Sequence, residues 1–179
     1  MHNPVNVDRR SILQAAILLV GGSLAGGTLA SCSRSDPTGR YFEPDIFKLL
    51  DSVCETVIPQ TDTPGASAAG VPDFIDGMMR NWASQETRNS FERALNGINV
   101  RARETASKDF VALGADEREN ILSAYDAESS DDWRALKRLS LMGYYLSEEG
   151  ATQELRYELV PGEWDPDVEV TPETRAWAV

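Results

Sequence analysis

The chain has 179 residues, which is room for one domain or a small pair of domains. Its 29 acidic and 17 basic residues give a net charge of -12, which argues against a nucleic-acid-binding protein, because such proteins need a basic surface to replace phosphate counterions. The hydrophobic fraction of 41% is ordinary for a folded protein and argues against a wholly disordered chain.

The first segment is typical of an export signal. Arg9 and Arg10 stand directly before an uncharged, weakly apolar stretch that begins with Ser11, Ile12 and Leu13 and is diluted by four glycines. An arginine pair ahead of such a stretch resembles a twin-arginine (Tat) signal. The alternative is a membrane-spanning anchor, because the stretch is close to the roughly 20 residues that a span needs.

The end of the apolar stretch resembles a bacterial lipobox. The sequence LASC at residues 29–32 places small residues before Cys32, and polar residues follow it. The alternative is an ordinary cleavage site with a coincidental cysteine. The lipobox interpretation predicts a signal peptide over residues 1–31, lipidation of Cys32 and a polar tether over residues 32–40. It also predicts a lipoprotein anchored at the periplasmic side of the cell envelope.

The scarcity of histidine and cysteine excludes several kinds of site. The only histidine is His2, inside the predicted signal, and the second cysteine is Cys54. The mature chain therefore lacks the residues of a Ser-His-Asp or Cys-His catalytic site, of the usual zinc sites and of a cysteine-ligated iron–sulfur cluster. No catalytic residue and no metal site is predicted, and Cys54 is expected to be a buried apolar side chain.

From Tyr41 onward the apolar residues recur at helical spacing, without a convincing strand pattern. The first predicted helix carries Phe42, Ile46, Leu49, Val53 and Val57 on one face and ends before Pro59. The second starts at Pro72, with apolar residues at Phe74, Ile75, Met78, Met79 and Trp82. Three more helices are predicted over residues 85–106, 116–126 and 131–146, the last with Trp133 and Tyr144 in the core.

Prolines characterise the last part of the chain. Pro161, Pro166 and Pro172 follow Tyr157 and argue against a further helix. The predicted fold is therefore all-α, a small bundle of about five helices over residues 41–156 with an irregular, extended C-terminal arm over residues 157–179.

Several segments of this chain resemble one protein family. The sequence VIPQTDTPGA at residues 57–66 is similar to an IIPxTDTPGA signature. The matching positions are Pro59, Thr61, Asp62, Thr63, Pro64, Gly65 and Ala66. VPDFID at residues 71–76 and LKRLSLMGYYLSE at residues 136–148 resemble later segments of the same family. This is the gluconate 2-dehydrogenase subunit 3 family, and the resemblance covers about residues 41–164.

The resemblance implies an accessory subunit that has no cofactor of its own. Such subunits pair with a large FAD-binding subunit of the glucose–methanol–choline oxidoreductase type, often with a cytochrome c subunit as electron acceptor. The large subunit oxidises a sugar, a sugar acid or another alcohol, and it commonly lacks an export signal. The resemblance thus implies that the small subunit carries its folded, flavin-loaded partner through the Tat translocase. The lipobox departs from the family pattern and predicts that this chain anchors the complex itself.

Aromatic residues in the last third are the candidates for contact with a partner, because tryptophan and tyrosine are enriched at interfaces. The candidates are Tyr145, Tyr157, Trp164 and Trp177. The signature loop at residues 59–66 is expected to be structural, because Pro64 fixes φ and Gly65 permits a tight turn.

Three functions remain open from the sequence. The first is an export and assembly subunit of a flavin-dependent dehydrogenase. The second is a stand-alone envelope lipoprotein that binds a ligand or another envelope protein. The third is an enzyme in its own right, which the missing histidine disfavours.

Overall fold

Five α-helices make up most of the described chain, so the predicted all-α bundle is confirmed. A computed structural model describes residues 39–128, 130–160, 162, 167 and 169–178. The helices are α1 (Pro44–Val57), α2 (Val71–Asn81), α3 (Gln85–Ala106), α4 (Ala115–Glu128) and α5 (Asp131–Tyr145). The predictions for Arg9, Arg10, Ile12, Leu13, Cys32 and Trp164 fall on residues outside the described part.

Local signals in the sequence account for the helix ends. Proline occupies the first turn of both α1 and α2, where its missing N–H is not needed. The Ser84 side chain caps α3 by accepting a hydrogen bond from the Thr87 N–H, and Ser130 does the same for α5 with the Trp133 N–H. Ser107 adopts a left-handed conformation with φ of 55° and ends α3.

The helices enclose one apolar core. Helix α5 packs against α2 and α3, while α1 packs against α2 and α4. The largest fully buried side chains come from four of the five helices and the short 3₁₀ turn Phe110–Ala112, and they include Leu50, Ile75, Phe91, Ile98, Phe110, Trp133 and Leu136. Trp133 and Tyr144 are buried as predicted. Each such side chain contributes about 1.5–3 kcal/mol of hydrophobic stabilisation.

The start of α1 differs from the sequence-based expectation. Phe42 is buried, but it lies before the helix, which begins at Pro44, and Ile46 is exposed. The reason is the carboxylate of Asp76 on α2, which is only 4% exposed. It accepts hydrogen bonds from the backbone N–H of Tyr41 at 3.1 Å and of Phe42 at 2.9 Å, and it thereby holds this segment outside the helix.

A π-helical turn, Gly150–Glu154, follows α5 and receives the C-terminal segment. The Arg175 guanidinium donates to the Gln153 carbonyl at 2.7 Å. Arg156 and Trp177 form an isolated β-bridge, in which the Arg156 N–H donates to the Ala176 carbonyl at 2.8 Å. The described residues of the arm therefore return to the end of the helical domain. Among the described residues, none of the helices combines the length and the apolar composition of a membrane-spanning segment.

Candidate partner-binding surface

The signature loop between α1 and α2 is held by a carboxylate from α1. Glu55 accepts a hydrogen bond from the Gln60 N–H through Oε1 at 3.1 Å and another from the Ser67 N–H through Oε2 at 2.9 Å. The Ala66 N–H donates to the Ile58 carbonyl at 2.9 Å, and the Ala66 side chain is fully buried. These bonds satisfy backbone N–H groups of the loop, which lie outside both helices.

Gly65 is required by close packing inside this loop. A Cβ atom at this position would lie 2.3 Å from Glu55 Oε1 and 2.7 Å from the Gln60 backbone nitrogen. The next residue back along the chain, Pro64, accepts a hydrogen bond through its carbonyl from the Tyr144 hydroxyl at 2.9 Å. The loop thus joins the end of α1 to the end of α5, which supports its interpretation as structural.

The tip of the signature loop faces solvent. Pro59, Thr61 and Asp62 are exposed, and Thr63 donates through its hydroxyl to Glu154 on the π-helical turn at 3.3 Å. Three of the seven matching positions are therefore exposed, while Thr63, Pro64, Gly65 and Ala66 are half-buried or buried and serve the geometry of the loop.

Cys54 lies in the core, as predicted. Its thiol is 3.6 Å from the Ser140 hydroxyl, which itself donates to the Leu136 carbonyl. Burial raises the pKa of the Cys54 thiol to about 12. The thiol is therefore protonated at neutral pH and lacks the thiolate that a nucleophile or metal ligand requires.

The structure places on the surface the three predicted aromatic partner residues that it describes. Tyr145, at the end of α5, and Tyr157, after the π-helical turn, are both exposed. Trp177 is also exposed, but its ring is covered on one side by the Arg156 guanidinium, 4.2 Å from the ring centroid. Trp177 thus has a cation–π partner within the chain.

Helical spacing does not predict the most exposed aromatic side chain of the described part, which is Trp82. Trp82 is 80% exposed because α2 ends at Asn81 and the residue lies in the turn before α3. The available signal was Ser84, a helix-capping residue that marks the start of α3 and so places Trp82 in the connection. On α5, Met142 is 46% exposed, and Leu146, just after the helix, is 65% exposed.

Basic side chains follow the same outer face of α5. Arg134 pairs with Asp131, and Lys137 donates to Asp126 at 2.8 Å, which holds the pKa of the Asp126 carboxyl below its usual range. Arg138 lies one residue further along and makes no hydrogen bond or ion pair with the described residues. The described residues contain no group of three or more metal-ligating side chains placed to hold a metal ion.

The chain is a small all-α protein with an exposed surface of aromatic, apolar and basic side chains. A family model described as gluconate 2-dehydrogenase subunit 3 matches residues 44–162, from the start of α1 into the C-terminal arm. The chain therefore belongs to the gluconate 2-dehydrogenase subunit 3 family, whose members are accessory subunits of a dehydrogenase complex. Comparisons with curated proteins and with solved structures gave no significant match.

Proposed function

We propose that this chain carries the FAD-binding catalytic subunit of a glucose–methanol–choline type dehydrogenase through the Tat translocase and holds it at the periplasmic side of the membrane. The observation that carries the proposal is the family match over residues 44–162, because it includes all five helices. The flavin belongs to the partner, and a cytochrome c subunit is the further partner that would accept electrons.

The arginine pair gives this role a physical basis. A flavoprotein folds around its FAD, so it must be exported in a folded state. A small subunit with Arg9 and Arg10 supplies a signal for a translocase that accepts folded cargo. The catalytic subunit then needs only to bind the helical domain before export.

The test is the location of both proteins after Arg9 and Arg10 are replaced by lysine. The change keeps the positive charge but removes the arginine pair that the Tat receptor recognises. Both this chain and the catalytic subunit should remain in the cytoplasm, as measured by fractionation and immunoblotting. Normal export of the catalytic subunit with the lysine variant would show that it does not depend on this chain, and would favour a stand-alone envelope lipoprotein.

The lipid anchor is tested separately by Cys32→Ser. Several acyl chains on Cys32 would hold the protein durably, since each buried CH₂ adds about 0.8 kcal/mol. The wild-type chain should incorporate a labelled lipid precursor and partition with membranes, while the variant should do neither. A variant that still partitions fully with membranes would exclude the lipoprotein anchor.

A further inference from the structure

Two grooves meet on the outer face of α5. The first lies between α2 and α5, has a volume of about 370 Å³ and is lined largely by apolar side chains, among them Trp82 and Leu139. The second runs along α5 past Tyr145 and Leu146. Arg138 and Met142 line both grooves, so the two form one continuous surface. We call the residues Trp82, Arg138, Met142, Tyr145 and Leu146 the α5 surface.

The composition of the α5 surface is that of an interface centre. Tryptophan, tyrosine and arginine are the residues most enriched among those that dominate binding energy, and methionine is enriched at interfaces generally. Exposing Trp82 and Leu146 to water costs hydrophobic free energy that burial against another protein would recover. An apolar side chain of a partner fits the groove between α2 and α5.

The charges of the α5 surface indicate which partner chemistry fits. Among the basic side chains that the structure describes, only Lys108 and Arg138 make no hydrogen bond, ion pair or ring contact. Three cations, Arg134, Lys137 and Arg138, line the second groove with a single carboxylate. Because Asp131 pairs with Arg134 and Asp126 pairs with Lys137, the unpaired positive charge at this groove is that of Arg138, in a chain with a net charge of -12. A carboxylate of the partner would pair with the free guanidinium in bidentate geometry.

We propose that the catalytic subunit docks on the α5 surface through a segment that places a carboxylate against Arg138 and an apolar side chain in the groove beside Trp82. The proposal rests on the proposed function for the identity of the partner, while the chemistry of the docking segment follows from the groove and its charge. Docking here leaves the signature loop free to hold α1, α2 and α5 together.

The experiment is co-purification of the candidate catalytic subunit, a glucose–methanol–choline type flavoprotein from the same genome, with tagged, full-length variants of this chain. The amount retained per chain should fall at least about tenfold with Arg138→Glu and with Trp82→Ala, and less with Arg138→Gln. Lys108→Glu makes the same charge change at the other free cation, and Val100→Ala removes an exposed apolar side chain from α3. Both controls should retain within about twofold of the wild-type amount.

The outcomes separate this inference from the proposed function. A wild-type chain that retains no catalytic subunit would contradict the proposed function itself. If Arg138→Glu and Trp82→Ala retain as much catalytic subunit as the wild-type chain does, the proposed function stands and docking on the α5 surface is overturned. A free wild-type chain that is a dimer, and that Trp82→Ala converts to a monomer, would show that a second copy covers the surface and would also overturn it. Circular dichroism of each variant checks that its helices are retained.

Discussion

At the scale of single residues, two carboxylates have a structural role, because they accept hydrogen bonds from backbone N–H groups. One is buried and the other is half-buried. Asp76 accepts hydrogen bonds from two consecutive N–H groups before α1, and Glu55 accepts two N–H groups in the signature loop. Neither element forms the regular helical hydrogen bonds that would otherwise satisfy those donors. These carboxylates therefore pair backbone N–H groups that lie outside the helices, before α1 and between α1 and α2.

Asp76→Asn should lower the free energy of unfolding by about 1–3 kcal/mol, because its amide keeps one acceptor oxygen but places a buried NH₂ donor where the second carboxylate oxygen accepted a backbone N–H. Asp73→Asn, three residues earlier on α2, is the matched control. Asp73 makes an exposed ion pair with Arg40, so its change should cost under about 1 kcal/mol. Urea denaturation measures both, and equal effects would contradict the role assigned to Asp76.

Gly65→Ala should destabilise the protein by about 1–3 kcal/mol, because the new methyl group would collide with the Glu55 carboxylate and the Gln60 backbone. Gly77→Ala, in the middle of α2, is the control, since no atom lies within 4 Å of its Cβ position. That change should stabilise the helix by about 0.5–1 kcal/mol. Thermal unfolding followed by circular dichroism gives the sign of each effect, and a stabilising Gly65→Ala would refute the packing argument.

At the scale of elements, ionised carboxyls connect the first half of α5 to α3 and to α4. Arg93 on α3 donates two hydrogen bonds to Asp132, at 2.7 and 2.8 Å, and Ser90 donates a third at 2.7 Å. These bonds lower the pKa of the Asp132 carboxyl, and the hydrogen bonds from Arg93 have the largest effect. Asp126 on α4 accepts from Lys137 and from the Trp133 indole N–H, and the pKa of its carboxyl is lowered for the same reason.

The lowered pKa values predict a loss of stability in acid. The folded-state pKa of Asp132 is below its unfolded value of about 3.9, so its contribution is fully present above that pH and is lost as the pH falls through the folded pKa. Asp132→Asn should lower stability at pH 7 and make the further loss on acidification smaller. Urea titrations at pH 7 and about pH 3 measure the difference.

The exposed Glu119→Gln variant is the control for this pH dependence. Its stability should fall on acidification as much as that of the wild-type chain. The same acid sensitivity in Asp132→Asn as in the wild type would contradict the contribution assigned to Asp132.

Helical periodicity predicted the elements well and their connections poorly. The range predicted for the third helix, residues 85–106, is that of α3, because a capping serine precedes an amphipathic run with no proline. The apolar spacing places Phe42 in the first helix. The spacing cannot show that the Phe42 N–H donates a hydrogen bond to the carboxylate of Asp76, 34 residues later in the chain. The π-helical turn depends on Gly150, where a Cβ would lie 2.0 Å from the Tyr144 carbonyl oxygen. The neighbouring sequence does not indicate this close approach.

The same limit applies to the candidate surface. Aromatic content pointed to Tyr145 and Tyr157, which are exposed. The spacing from Met79 continues the helical pattern and so places Trp82 with the apolar residues of the second helix. In the structure that helix ends at Asn81, one residue before Trp82. The freedom of Arg138 depends on which carboxylates its neighbours engage, and that follows from three-dimensional packing alone.

At the scale of the whole molecule, the stability of the helical core depends little on the C-terminal arm. The buried apolar side chains of the described part all lie between Phe42 and Tyr144. The arm is attached through exposed contacts, such as those of Arg175 with the π-helical turn and of Trp177 with Arg156. Such contacts contribute little to folding of the core.

Deletion of the chain after Pro161 should therefore leave the helices folded and weaken the hold on the catalytic subunit. The removed segment contains Trp164 and Trp177, and tryptophan is enriched among the residues that dominate binding energy at interfaces. Circular dichroism and co-purification measure the two effects. Loss of cooperative unfolding would show that the arm belongs to the core, and unchanged co-purification would remove it from the interface.

The central claim is that this chain is the cofactor-free partner of a flavoprotein, and it is tested most directly by native mass spectrometry with an absorbance spectrum of the tagged chain. Expressed with a candidate FAD-binding dehydrogenase subunit from the same genome, the chain should be recovered as a complex with that large subunit, and the flavin should belong to that subunit. Expressed alone, it should show no flavin, haem or metal absorbance. Recovery of the chain without the large subunit after co-expression, or a stoichiometric cofactor in the chain expressed alone, would contradict the account.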